Sequence, residues 1–136
     1  MDNLPNVCNK ATTLADFLKA VTDLGHVAIG SRAWGGATSL SDYDYVLGVA
    51  DVESLTQLAR DAGRSVSPSL YYVSSYYVQF DDGVVNLVTA CQADLEAWRA
   101  ASAMMAHAPT SVRHDRDSRQ LVFEALLAML KKLPTR

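Results

Sequence analysis

Ile29-Gly30-Ser31-Arg32-Ala33-Trp34-Gly35 and, after a short spacer, Ser41-Asp42-Tyr43-Asp44-Tyr45-Val46 are the stretches from which fold and site can both be read. His26-Val27-Ala28-Ile29 is a short apolar strand that runs out at Gly30-Ser31. Residues 32–40 are small, polar and glycine-rich, as expected of a turn with a short helix. Asp42 to Val49 then reads as a second strand. Side chains two apart on a strand share a face, so Asp42 and Asp44 are expected to project side by side. Strands are depleted in aspartate, and paired carboxylates repel and gain proton affinity unless a cation lies between them. A divalent metal with a preference for hard oxygen ligands relieves that repulsion. Mg²⁺ is the expected ion, with Mn²⁺ as an alternative.

The turn before the acidic pair suits an anion. Glycine lets a phosphate approach the backbone, and the Ser31 hydroxyl and neighbouring N–H groups can donate to it. Arg32 can add a charge-assisted contact, although a surface or local pairing role suits it equally well. A donor turn next to two carboxylates is equipment for phosphoryl chemistry. Plainer readings stand beside this one: Asp42 and Asp44 as a solvent-facing strand edge, and Gly30-Ser31 as a tight turn. Trp34 is expected to pack against the loop rather than stack on a base.

Outward from this centre, Thr13 caps a helix over about 13–24, with Leu14, Phe17, Leu18, Val21 and Leu24 at helical spacing and Gly25 as a left-handed stop. After the second strand, Asp51 is expected to cap a helix bearing Leu55, Leu58, Ala59 and Ala62 that stops at Gly63. Ser67-Pro68 breaks the chain. Tyr76–Phe80 and Val84–Val88, joined by Asp81-Asp82-Gly83, form a hairpin. One helix follows from about Ala93, with Leu95, Trp98, Ser102 and Met105 on a stripe. Another begins near Asp117 with Gln120 completing a capping box, aligns Phe123, Leu126, Leu127 and Leu130, and closes at Pro134. The expected fold class is α/β (α+β), a small mixed sheet backed by helices. It forms one domain over 1–136, with a core of about 13–90 and a helical tail of about 93–133.

The totals fit that reading. The 136 residues are 49% hydrophobic and 20% charged, the profile of a folded domain. A net charge of −3 gives no bulk attraction to nucleic acid. Cys8 and Cys91 lack zinc-type spacing and read as free thiols. No basic, apolar leader and no membrane-length apolar run is visible, so a cytoplasmic location without a membrane partner is expected. His26, His107 and His114 show no ligand spacing. The tyrosines at 71, 72, 76 and 77 read as strand faces. The segment Arg113–Arg119 interleaves three arginines with two aspartates and reads as a solvated helix start, or as a flank for a polyanionic acceptor.

The hydrophobic residue followed by Gly-Ser, a spacer, and Asp-x-Asp in an apolar strand resembles the signature of the DNA polymerase β-like nucleotidyltransferase superfamily. The Gly30-Ser31-Arg32-Ala33-Trp34-Gly35 form is similar to minimal stand-alone members from prokaryotes and their phages. The resemblance covers residues 13–90 in element order, and the terminal helices look like the short tail of phage-type members. It implies that Asp42 and Asp44 bind Mg²⁺, with Gly30, Ser31, Arg32 and Ser41 as the nucleotide-binding set. The implied reaction moves a nucleoside monophosphate from an NTP to a hydroxyl on tRNA, another RNA, a protein or a small molecule. One position departs from the pattern. Active members carry a third carboxylate on a later strand, and the matching residue here is Asn86, which offers a carbonyl oxygen but no charge and no base. Asp81 and Asp82, at the hairpin tip, lie on the order of 10 Å away along the strand and are expected to be turn residues. Two functions therefore follow from the resemblance: a nucleotidyltransferase with Asp42, Asp44 and Asn86 as its catalytic set, or a weakened nucleotide-binding or antitoxin-like regulatory partner.

Overall fold

The computed structural model describes residues 13–69 and 75–132. Cys8, Tyr71, Tyr72 and Pro134, named above, lie outside the described residues. Helix α1 (Leu14–Thr22) starts as expected, with the Thr13 hydroxyl accepting from Asp16 N at 3.1 Å, and it buries Leu14, Phe17 and Val21. Its end differs from expectation. Asp23 is the C-cap in a right-handed conformation, and Gly25 is not among the glycines with positive φ. The bend closes instead through His26 N donating to Leu24 O, which requires no left-handed residue.

Strand β1 (Val27–Ile29) leads into the short helix α2 (Ser31–Trp34), and β2 (Tyr43–Gly48) follows the loop. Helix α3 (Val49–Asp61) leaves β2 without a linker, so Gly48 occupies the cap position and Asp51 falls in the first turn. An acid there still favours the positive end of the helix dipole. Gly63, at φ 79°, follows the helix end as its sequence position indicates. The break expected at Ser67-Pro68 is a strand, β3 (Val66–Pro68), on the sheet edge, where a proline lacking an N–H is tolerated.

The hairpin forms as expected from β4 (Ser75–Phe80) and β5 (Gly83–Ala90), with Phe80 opposite Gly83 and Asp81-Asp82 as the turn. A 3₁₀ turn (Gln92–Asp94) opens helix α4 (Leu95–Met105), and a short α5 (Thr110–Arg113) precedes α6 (Arg116–Lys131). The cap of α6 is Asp115, not Asp117. Asp115 has extended backbone and its carboxylate accepts from Ser118 N at 2.9 Å. The Gln120 amide donates forward to Glu124 Oε2 at 3.0 Å.

The five strands form one mixed sheet in the order β1-β2-β5-β4-β3. The central β2–β5 pair is parallel and the other three pairs are antiparallel. A parallel pair needs a crossover, which α3 and the hairpin strand β4 supply. Period-two alternation divides the core. Leu47, Val85 and Leu87 pack with Phe17 of α1 and Leu55 of α3 on one face. Val46 and Val88 pack with Trp98 of α4 and Phe123 of α6 on the other. The mixed sheet backed by helices is therefore what the chain adopts, with helices on both faces. No helix among the described residues is long and apolar enough to cross a membrane.

Candidate functional site

Backbone pairing sets one row of residues across the sheet. Ile29 pairs with Asp44, Asp44 with Asn86, and Asn86 with Tyr77. Alternation along β2 puts Asp44 on the face of Val46, and along β5 puts Asn86 on the face of Val88. Both therefore look toward the α4–α6 layer. Asp42 stands one residue before the paired part of β2, which frees it from the ladder while keeping it beside Asp44.

Gly30 ties the turn to this row. Its backbone (φ 83°, ψ −168°) lies in a region open essentially to glycine alone. A Cβ there would collide with Oδ2 of Asp44. Glycine thus lets the chain pass directly over the carboxylate and leaves Ser31 at the start of α2. Gly30, Ser31, Ser41, Asp42, Asp44 and Asn86 all line one cleft of about 290 Å³. Its floor includes Trp34 and Phe123, whose rings meet at 4.9 Å. Trp34 is a packing residue, but against α4 and α6 rather than the loop: it is buried beside Phe123 and its indole N–H donates to the Ser102 oxygens at 3.0 and 3.1 Å.

Arg32 is placed elsewhere. Its guanidinium donates to Ser41 O at 2.9 and 3.1 Å and to Ser39 O at 3.4 Å, and it stacks 3.8 Å above the Tyr43 ring. It does not line the cleft. Those contacts brace the loop that brings Ser41 to the cleft, with Ser41 Oγ accepting from Thr38 N at 2.9 Å. Asp81, at the hairpin tip, meets Arg64 at 3.4 Å, away from the site.

The electrostatics of the cleft centre on Asp44. Burial, and then the Asp42 carboxylate beside it, push the Asp44 carboxyl up from its ordinary 3.8 to about 6. The polar contact of the Asn86 side chain and the charges of Arg119 and Arg116 partly offset that rise. Asn86 is 2% exposed, and its Oδ1 has no hydrogen-bond partner among the described residues. An unpaired carbonyl oxygen at that depth costs roughly 1–3 kcal/mol unless something occupies it. Among the described residues no group of three or more His, Cys, Asp or Glu side chains gathers to hold a metal. The two carboxylates nonetheless suit a hard divalent cation, whereas Asn86 meets Asp44 through its amide N–H, so its Oδ1 would join them only with the amide flipped.

Helix α6 supplies residues that were legible only as a segment. Arg116, Arg119 and Gln120 line the same cleft. They fall at helical spacing on the stripe that continues to buried Phe123, and that spacing was the available signal. Arg113 fixes the start of this helix against the turn. It donates to Trp34 O at 2.7 Å, to Ala108 O at 2.7 Å and to Thr110 Oγ1 at 3.3 Å. Tyr77, read from sequence as a strand-face residue, stands beside Asn86 in the cleft wall. Cys91 is exposed and free.

Comparison with protein-family profiles, with curated proteins and with solved structures found no match.

Proposed function

We propose that the protein is a nucleotidyltransferase that moves a nucleoside monophosphate from an NTP to an acceptor hydroxyl. One observation carries the reading: residues far apart in the chain, Gly30-Ser31, Asp42, Asp44 and Asn86, converge on a single cleft. The resemblance to the DNA polymerase β-like superfamily assigns the same residues to one nucleotide site, which supports the reading independently of the geometry.

Asp42 and Asp44, with the Asn86 carbonyl once its amide is flipped, would hold Mg²⁺, which when bound supplies charge neutralisation at the phosphates. Gly30 and Ser31 offer close backbone approach and a hydroxyl donor to the triphosphate, and Ser41 borders the same space. In the reaction the acceptor oxygen bonds to the α-phosphorus. The bond from that phosphorus to the bridging oxygen breaks, and pyrophosphate leaves with the electron pair. The acceptor proton needs a base. Of the groups lining the cleft, the Asp44 carboxylate, whose proton affinity burial raises, can take it, whereas the Asn86 amide cannot.

The missing charge at position 86 favours a second reading, a nucleotide-binding regulatory protein with weakened transfer. The two are separated by incubating the protein with α-labelled NTPs, Mg²⁺ or Mn²⁺, and cell extract. Label moving to RNA, protein or a small molecule, and lost in Asp42→Ala, is the expected result. NTP binding without any transfer of label would replace the enzyme with the regulatory reading.

A further inference from the structure

Arg32, the residue next to the Gly-Ser turn, spends its guanidinium on Ser39 O, Ser41 O and the Tyr43 ring, so the cleft takes its positive charge from another element. We propose that Arg116 and Arg119 of α6 form the phosphate-binding wall of the cleft and hold the polyphosphate tail of a bound nucleoside triphosphate. This inference rests on the nucleotide-site reading above and assigns the part of the site that the Gly-Ser turn leaves open.

The cleft is bipolar. Its lining carboxylates, Asp42 and Asp44, come from the β2 end, and its lining guanidiniums, Arg116 and Arg119, come from the first two turns of α6. A cation–polyphosphate complex carries both signs and satisfies both walls at once. A simple polyanion would face the carboxylates, and a simple cation would face the arginines. Guanidinium is also the side-chain group best matched to phosphate, because its planar fork presents paired N–H donors.

Arg119 is held in register with the turn rather than swinging free on a loop. Arg119 Nη1 donates to Arg113 O at 3.3 Å, and Arg113 Nη1 donates to Trp34 O at 2.7 Å, at the end of the helix that Ser31 begins. Gly35 lets the His114 ring close against the same turn; a Cβ there would come within 2.5 Å of Nε2. Asp115 accepts from Ser118 N and also feels the Arg119 charge, but neither Asp115 nor Asp117 lines the cleft.

The test is calorimetric titration of the full chain with ATP and with inorganic tripolyphosphate, each in the presence of Mg²⁺. Arg116→Gln, Arg119→Gln and the double variant are compared with Arg119→Lys and with Lys19→Gln, which removes the same charge from an exposed site on α1. The double variant is expected to lose about tenfold or more in affinity for both ligands. Arg119→Lys should fall between it and the wild type, and Lys19→Gln should bind as the wild type does. Arg116 is exposed, so its single variant reports even where Arg119→Gln disturbs folding. Wild-type tripolyphosphate affinity in folded arginine variants would overturn the inference. If Asp42→Ala still abolished ATP binding in that case, the nucleotide site would stand and the arginine wall alone would fall. Failure of the wild type to bind either ligand would remove both.

Discussion

Asp44 and Asn86 face each other across the parallel β2–β5 ladder, on the side of the sheet covered by α4 and α6. One is a carboxyl with raised proton affinity and the other a buried amide whose Oδ1 has no partner among the described residues. The Asn86 N–H bonds the carboxylate, and it is the amide oxygen that is left over.

Asn86→Asp tests what that position is for. A third carboxylate beside Asp44 adds like-charge repulsion, so the variant is expected to melt several degrees lower than the wild type in EDTA. Mg²⁺ or Mn²⁺ should recover the difference, and label transfer from NTP should rise by roughly tenfold or more as the cation is held more firmly. Thermal melts with and without the ion, paired with the transfer assay, check both halves. Lower stability that no cation repairs would count against a metal-facing position.

The raised Asp44 carboxyl fixes the sign of a pH effect. The folded form holds its proton up to about pH 6, while the unfolded chain releases it near 3.8, so the folded state binds more protons between those values. Stability from this group is therefore lost as pH rises from about 4 through 6, and the penalty is fully present above that window. The shift corresponds to roughly 2–3 kcal/mol. Asp44→Asn should stabilise the metal-free protein at pH 7.5, with a gain that shrinks toward zero below pH ~4. Urea denaturation in EDTA across that range measures it.

Mg²⁺ should reproduce the same trend from the opposite side. A cation competes with the proton on Asp44, so it is expected to raise the melting temperature more at pH 7.5 than at pH ~5. Asp42→Ala should abolish the increment. An equal increment at both pH values would show that the ion binds somewhere other than this carboxylate pair.

Gly30→Ala places a methyl group on Asp44 Oδ2 and forces a non-glycine residue into a glycine-only backbone region. A loss of about 1–3 kcal/mol in stability is expected, together with lost NTP binding because the turn must move off the carboxylate. Gly63→Ala is the comparison. Its φ is also positive, at 79°, but nothing lies within 4 Å of its Cβ position, so it should lose stability and keep binding.

Arg113→Lys should loosen α6 without unfolding the sheet. Lysine cannot reproduce the fork that reaches Trp34 O, Ala108 O and Thr110 Oγ1 together. Hydrogen exchange is expected to speed up in the first turns of α6 by about tenfold or more, while amides of β2 and β5 stay protected. Uniform acceleration across the whole chain would show that Arg113 supports the core rather than this one docking contact.

Much of this could be read from residue order. The Gly-Ser turn, the Asp-x-Asp strand, the hairpin at Asp81-Asp82 and the amphipathic helices each carry a local signal, because turn geometry and hydrophobic period act over a few residues. Helix starts were less legible. Asp51 and Asp117 were plausible caps, yet Gly48 and Asp115 hold those positions, since capping depends on the backbone angle at which the chain enters the helix. Strand β3 was hidden by Pro68, whose tolerance depends on edge position, a property of the assembled sheet.

The sequence by itself determined the fold class, the acidic pair and the lone polar Asn86 in an apolar strand, because each is a matter of residue type at a spacing. Tertiary structure alone decided that Asn86 lies opposite Asp44, that Arg32 turns away to brace its loop, and that Arg116 and Arg119 close the cleft from the far end of the chain. The physical reason is that strand register and helix docking are set by long-range burial. Phe123 must reach the Trp34–Trp98 cluster, and in doing so it carries the arginines on its own helical stripe over the carboxylates.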